Sequence, residues 1–165
     1  MKPLTPPDSF HLNAAVGWLE LGNHLEANED LEKIAPALRV HPDVLMVEYQ
    51  IHAQAGKWEF AADIAQTIST MLPDNSYGWV HLAYALHELK RTREAWNVLL
   101  PVVDKFPDAY LIRYNLACYA CQLGNLPDAK QWLEKAFAIA DKKSVKLMAL
   151  KDPDLEPLRH EIERI

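Results

Sequence analysis

Apolar residues recur along this chain with helical spacing and, above that, with a longer period. Trp79, Leu82, Ala83 and Leu86 fall at i, i+3, i+4 and i+7, and Ala95, Leu99 and Val102 take up the spacing in the next segment. Alanine stands at 27, 61, 95 and 129, each 34 residues after the last. Twelve positions before each lie Ala15, Tyr49, Ala83 and Ala117; four after lie Leu31, Ala65, Leu99 and Leu133; seven after lie Ile34, Ile68, Val102 and Ala136. Small and apolar side chains thus keep one phase through four units, which is how a chain built of stacked repeats reads.

The turns carry the same period. Five positions before each alanine stand Gly22, Gly56, Lys90 and Gly124, and glycine is the residue that closes one helix and lets the chain turn into the next. Each unit is predicted to be two amphipathic helices of about a dozen residues joined by a short turn. The recurring alanines let paired helices cross at the short end of the roughly 8 to 10 Å range. Pro73 and Pro107, again 34 apart, lie where a second helix must stop. Pro101 falls inside a predicted helix and is expected to kink or shorten it.

On these residues the chain resembles the tetratricopeptide repeat family. The third unit carries Trp79, Leu82, Ala83, Leu86, Ala95, Leu99, Val102 and Pro107 at the family's signature positions, and the fourth follows with Leu116, Ala117, Gly124, Ala129, Leu133 and Ala136. The resemblance implies an all-α fold, a right-handed α-solenoid of about four helix pairs with a C-terminal capping helix. We expect one helical-repeat domain over 1–165, with repeats at 8–41, 42–75, 76–109 and 110–143 and a cap at 144–165. Two units depart from the pattern. Glu48 stands where an apolar residue is usual and Tyr49 where a small one is; Arg39 takes the proline position of the first unit, so its second helix is expected to run long. In the cap, Val145, Leu147 and Leu150 mark a short helix, and Leu155, Leu158, Ile162 and Ile165 form a stripe after Asp154 as N-cap.

Charge narrows the partners. Seventeen basic against 23 acidic residues give a net of -6 and a pI near 5.6, which disfavours nucleic acid or an anionic membrane as the main partner. Residues 8–75 hold eleven acidic groups against Lys33, Arg39 and Lys57, whereas 76–143 hold seven acidic against nine basic. A partner with a basic end is steered toward the first two units. The start MKPLTPPDSF has no apolar run of a secretory signal or membrane anchor, and two cysteines three apart make no disulfide framework. A cytoplasmic location is the default expectation.

In the family, the first helix of each unit lines the concave surface through its second, fifth, sixth, ninth, twelfth and thirteenth positions. The resemblance therefore implies a partner-binding groove at Tyr77, His81, Tyr84, His87, Glu88, Leu111, Tyr114, Asn115, Cys118 and Gln122. Units one and two contribute Ser9, Leu12, Asn13, Val16, Leu19 and Glu20, then Asp43, Met46, Val47, Gln50, Ala53 and Gln54. The same rings could instead pack against neighbouring helices or a C-terminal segment. Asn13 and Asn115 match the asparagines of the family's terminal-carboxylate clamp, but no lysine or arginine stands at its other positions. Without cations that mode gains too little, so it is not expected.

Chemistry beyond binding is sparse. Cys118 and Cys121 share a helix face mid-helix, away from the N-terminus that would activate a thiol. With His81 and His87 they compose a Cys2His2 zinc grouping, set against the usual use of cysteine as a small buried hydrophobe. There is no phosphate-binding glycine loop, no HExxH and no GxSxG. The expectation is a non-enzymatic scaffold or adaptor that binds a protein or peptide and needs no cofactor or metal. A secretion-type chaperone for an unfolded segment, and a metal-binding or redox protein using the cysteine pair, are the alternatives. Self-association through exposed apolar ends also stays open.

Overall fold

Four helix ends close in the same way. In the computed structural model, which describes residues 3–164, Gly22, Gly56, Lys90 and Gly124 all adopt positive φ, at 74°, 68°, 64° and 81°. At each, the N–H groups reach back in the paired pattern of a Schellman turn. Gly22 donates to the Leu19 carbonyl and Asn23 to Trp18, and Gly124 donates to Cys121 and Asn125 to Ala120. Lys90 makes the same two bonds with its neighbour, to His87 and Leu86. A lysine there carries a left-handed penalty of about 1 kcal/mol that the glycines avoid.

The first helices of the pairs are α1 (Asp8–Glu20), α3 (Pro42–Gln54), α5 (Ser76–Glu88) and α7 (Tyr110–Gln122); the second are α2 (His24–Leu31), α4 (Trp58–Met71), α6 (Thr92–Leu99) and α8 (Leu126–Ile139). Both sets start 34 residues apart. Then follow α9 (Lys142–Lys151), a 3-10 turn Pro153–Leu158 and α10 (Arg159–Arg164); among the described residues there is no strand. Side-chain caps fix several starts: Asn23 accepts from the Glu26 N–H, Asn125 from Asp128 and Asp141 from Ser144.

The described residues group into two compact units, dividing after Ala85. In the first, α1 packs on α2 and α3, α2 on α3, and α3 on α4. Its core gathers Ala15, Leu19, Ala27, Leu31, Ile34, Val44, Val47 and Ile51, with Trp18 and Leu38 at the margin. In the second, α7 packs on α6 and α8 and on the Pro153–Leu158 turn, and α9 joins α8 and α10. Ala27, Ala61, Ala95 and Ala129 are all fully buried, as are Ala15, Ala83 and Ala117, so the small positions sit where helices meet closely.

Four sequence expectations need correction. The second helix of the first repeat is short: α2 ends at Leu31, because Pro36 forces Ala35 into extended backbone and Arg39 folds back to donate to the carbonyls of Glu32 and Ile34. Pro101 shortens its helix as expected, ending α6 at Leu99 and tightening the next residues into a 3-10 turn, but the change of pitch displaces the phase expected of Val102, which is half-buried while Val103 takes the core position. The cap of the C-terminal turn is Asp152, whose carboxylate accepts from the Asp154 N–H, so Asp154 is left to other work. In α9 the core side chains are Val145 and Ala149, with Leu147 exposed; Leu155, Leu158 and Ile162 are buried, and Ile165 lies outside the described residues.

The departures from the repeat pattern have local explanations. Tyr49 is buried in place of an alanine and donates its hydroxyl to the His81 carbonyl at 3.2 Å, bridging α3 to α5. Glu48 lines a cavity of about 180 Å³ together with Asn28, Glu32 and Arg39 and the core side chains Leu31 and Val44. Burial raises its carboxyl pKa, and the Arg39 charge opposes that rise.

Candidate functional site

The residues implied for the groove fall into two environments. In the first unit, α5 presents Tyr77, His81 and Tyr84 along one side. Tyr77 donates to the Met46 carbonyl at 3.2 Å, and its ring meets His81 at 4.0 Å and Tyr49 edge-on at 6.2 Å. Tyr84 leans edge-on against Trp58 at 5.6 Å but keeps 41 % of its surface exposed. Val16, an inner position of α1, is also exposed. The first unit therefore sets one open tyrosine on a braced aromatic wall, a rigid body with a polar tip.

Desolvation dominates the electrostatics of that wall. Burial pushes the His81 imidazole down to about 4 and raises the Tyr77 phenol. His81 is thus neutral in the fold at pH values where the unfolded chain, with an ordinary histidine near 6.5, already binds a proton. The associated stability is complete above about pH 6.5 and is lost as pH falls toward 4. Going from pH 7 to pH 5 should lower the urea-unfolding free energy through this group by about 2 kcal/mol, at about 1.4 kcal/mol per pH unit. A His81→Gln chain should lose correspondingly less over that interval; an equal loss in both proteins would refute the assignment.

In the second unit, residues expected to face the groove meet the chain's own C-terminal segment. Tyr114 donates to Asp152 Oδ2 at 2.7 Å and the Cys118 thiol to the same oxygen at 3.6 Å. Gln122 Nε2 donates to the Asp154 carbonyl at 3.0 Å, and His87 Nε2 pairs with Asp154 Oδ2 at 2.8 Å while its Nδ1 meets Thr92 at 2.9 Å. Leu155 and Leu158 are fully buried beneath these contacts. Leu111 remains exposed, and Asn115 and Glu88 are half-buried.

Cys118 and Cys121 are packed into the interior of α7's contacts. Both are buried and free. Burial first, then Asp152 and Asp154, hold the Cys118 thiol well above its ordinary pKa, and burial raises Cys121 as well. Cys121 lies in the last turn of α7, not mid-helix, where the negative dipole end also disfavours a thiolate. The Cys2His2 grouping is not what assembles around Cys118: His87 is engaged by Thr92 and Asp154, and among the described residues the ligand atoms within 4.8 Å of one another belong to Cys118, Asp152 and Asp154. Each of these has a hydrogen-bond partner already. Sequence reasoning had no means to place Asp152 and Asp154 against α7, since an Asp-Pro-Asp run signals only a helix start.

Comparison with known proteins identifies the fold. The thermophilic TPR protein TTC0263 of Thermus thermophilus superposes with a TM-score of 0.73 at 18% identity, covering 96% of this chain and all of that one (100%). MamA RS-1, as its ArsTM double mutant, gives a TM-score of 0.69 at 11% identity over 88% of this chain and 79% of its own. MamA MSR-1 gives 0.67 at 20% identity over 83% and 78%. The fold is that of tetratricopeptide-type helical-repeat proteins, an all-α solenoid class. No protein-family model matches the chain, and no curated relative does. Among the described residues no helix is long and apolar enough to cross a membrane.

Proposed function

We propose that the chain is a non-catalytic interaction scaffold that holds a protein segment, extended or helical, against the inner face of its first unit. The observation that carries this reading is the aromatic wall on α3 and α5. Tyr49, Tyr77 and His81 brace one another through ring contacts and hydrogen bonds to backbone carbonyls, and Tyr84 and Val16 stand exposed on the inner positions. Rigid aromatic side chains lose little entropy on binding and anchor interfaces. The acidic excess of residues 8–75 favours a partner whose docking segment is basic.

Paired substitution tests the reading. Val16→Asp with Tyr84→Ala alters two exposed side chains, so the far-UV helical signal should match the parent chain. Retention of partner protein on the immobilised chain should fall at least tenfold. Undiminished retention by the double variant would remove the first-unit face from consideration.

A further inference from the structure

The C-terminal segment makes more contacts than a cover requires. Shielding the end of a repeat array needs apolar surface, and Leu155, Leu158 and Ile162, at 0%, 2% and 1% exposure, supply it. The two aspartates add nothing to that shielding, yet side chains of the repeats grip both. Tyr114 and Cys118 read the Asp152 carboxylate, His87 reads that of Asp154, and Gln122 reads the Asp154 main-chain carbonyl. All four readers occupy positions that the family resemblance assigns to ligand contact. Carboxylates, a backbone carbonyl and buried leucines read together are how a groove recognises a peptide.

We infer that Asp152–Leu158 is a tethered ligand of the second unit, and that this face accepts in exchange an external acidic peptide carrying Asp-x-Asp-Leu-x-x-Leu. The inference rests on the scaffold reading and gives its second unit a partner chemistry distinct from that of the first. No lysine or arginine is among the readers of the two carboxylates, so the grip is lighter than a guanidinium clamp and suits exchange. Asp152 leaves α9 in extended backbone (φ -80°, ψ 117°), so the segment can separate there without unwinding that helix. Tethering gives the internal copy an effective concentration in the range of about 1 mM, against which a free peptide must compete.

The probe is a fluorescein-labelled peptide of residues 151–158, acetylated and amidated so that no terminal carboxylate contributes. Fluorescence anisotropy should show it binding the full chain carrying Leu155→Ala at least tenfold more tightly than the unmodified chain. Changing both aspartates of the peptide to asparagine, or adding Tyr114→Phe to the protein, should weaken binding at least tenfold. Equal affinity for both chains, or no binding to a Leu155→Ala chain with an intact helical signal, overturns the inference. Hydrogen exchange of the unmodified chain gives the answer independently of any variant. Amides of residues 155–162 should open while those of α7 stay protected, and a common rate with a common urea dependence would overturn it too. Either failure leaves the Val16 and Tyr84 result, and with it the first-unit reading, untouched.

Discussion

Gly78→Ala should destabilise the protein by about 2 kcal/mol, although alanine is the better helix former. A Cβ built on Gly78 would lie 2.4 Å from the Ser69 nitrogen, 2.6 Å from its Cα and 3.0 Å from the Ile68 carbonyl carbon. All three are backbone atoms of α4, so no rotamer change relieves the clash and the two helices must part. A clash against fixed backbone sits at the upper end of the overpacking range, about 3 kcal/mol, against a helix-propensity gain of about 1 kcal/mol. The same substitution at Gly17, where nothing lies within 4 Å, should keep the whole propensity gain and stabilise. Thermal unfolding of the pair decides the matter: at about 2–4 °C per kcal/mol for a chain of this size, Gly78→Ala should melt several degrees lower and Gly17→Ala slightly higher. A Gly78→Ala midpoint at or above that of the parent would contradict the packing.

Leu155→Ala should cost about 3 kcal/mol of the docking free energy of the C-terminal segment. The side chain is fully buried, and truncating such a leucine loses its transfer free energy and leaves a cavity, about 2–5 kcal/mol in all. Leu155 lies in the turn that packs on α7, so the loss should concentrate there. Exchange protection of residues 155–162 should fall by roughly two orders of magnitude, given tenfold for about 1.4 kcal/mol, while α1 to α4 keep theirs. Uniform loss across the chain would show that the segment is inseparable from the global fold.

These two sites mark the boundary of what the sequence makes legible. The period of 34, the glycine phase and the alanine crossings follow from side-chain size and backbone freedom alone, and each maps onto a buried contact or a left-handed turn. Lys90 adopts the same turn without glycine because the flanking helices dictate it. Gly78 is mute in the sequence: inside a helical pattern a glycine reads as a propensity cost, and only the neighbouring backbone reveals why nothing larger fits. The family resemblance pointed to Tyr77, His81 and Tyr84 on α5, but not to the Trp58 ring against Tyr84 or the 67-residue reach from His87 to Asp154. Tyr114, Cys118 and Gln122 share one side of α7, and what covers them is a segment whose aspartates read locally as caps. Long-range pairing of short polar motifs leaves no periodic trace.

Site-specific photocrosslinking tests most directly whether the inner face of the first unit is where another protein is held. A benzophenone side chain in place of Tyr84, and separately in place of the exposed Asp63 on α4, would be irradiated in cells producing the full chain. Position 84 should yield a discrete crosslinked protein band that Val16→Asp abolishes, with position 63 yielding none. Crosslinks from position 63 alone, or equal patterns from both, would contradict the account.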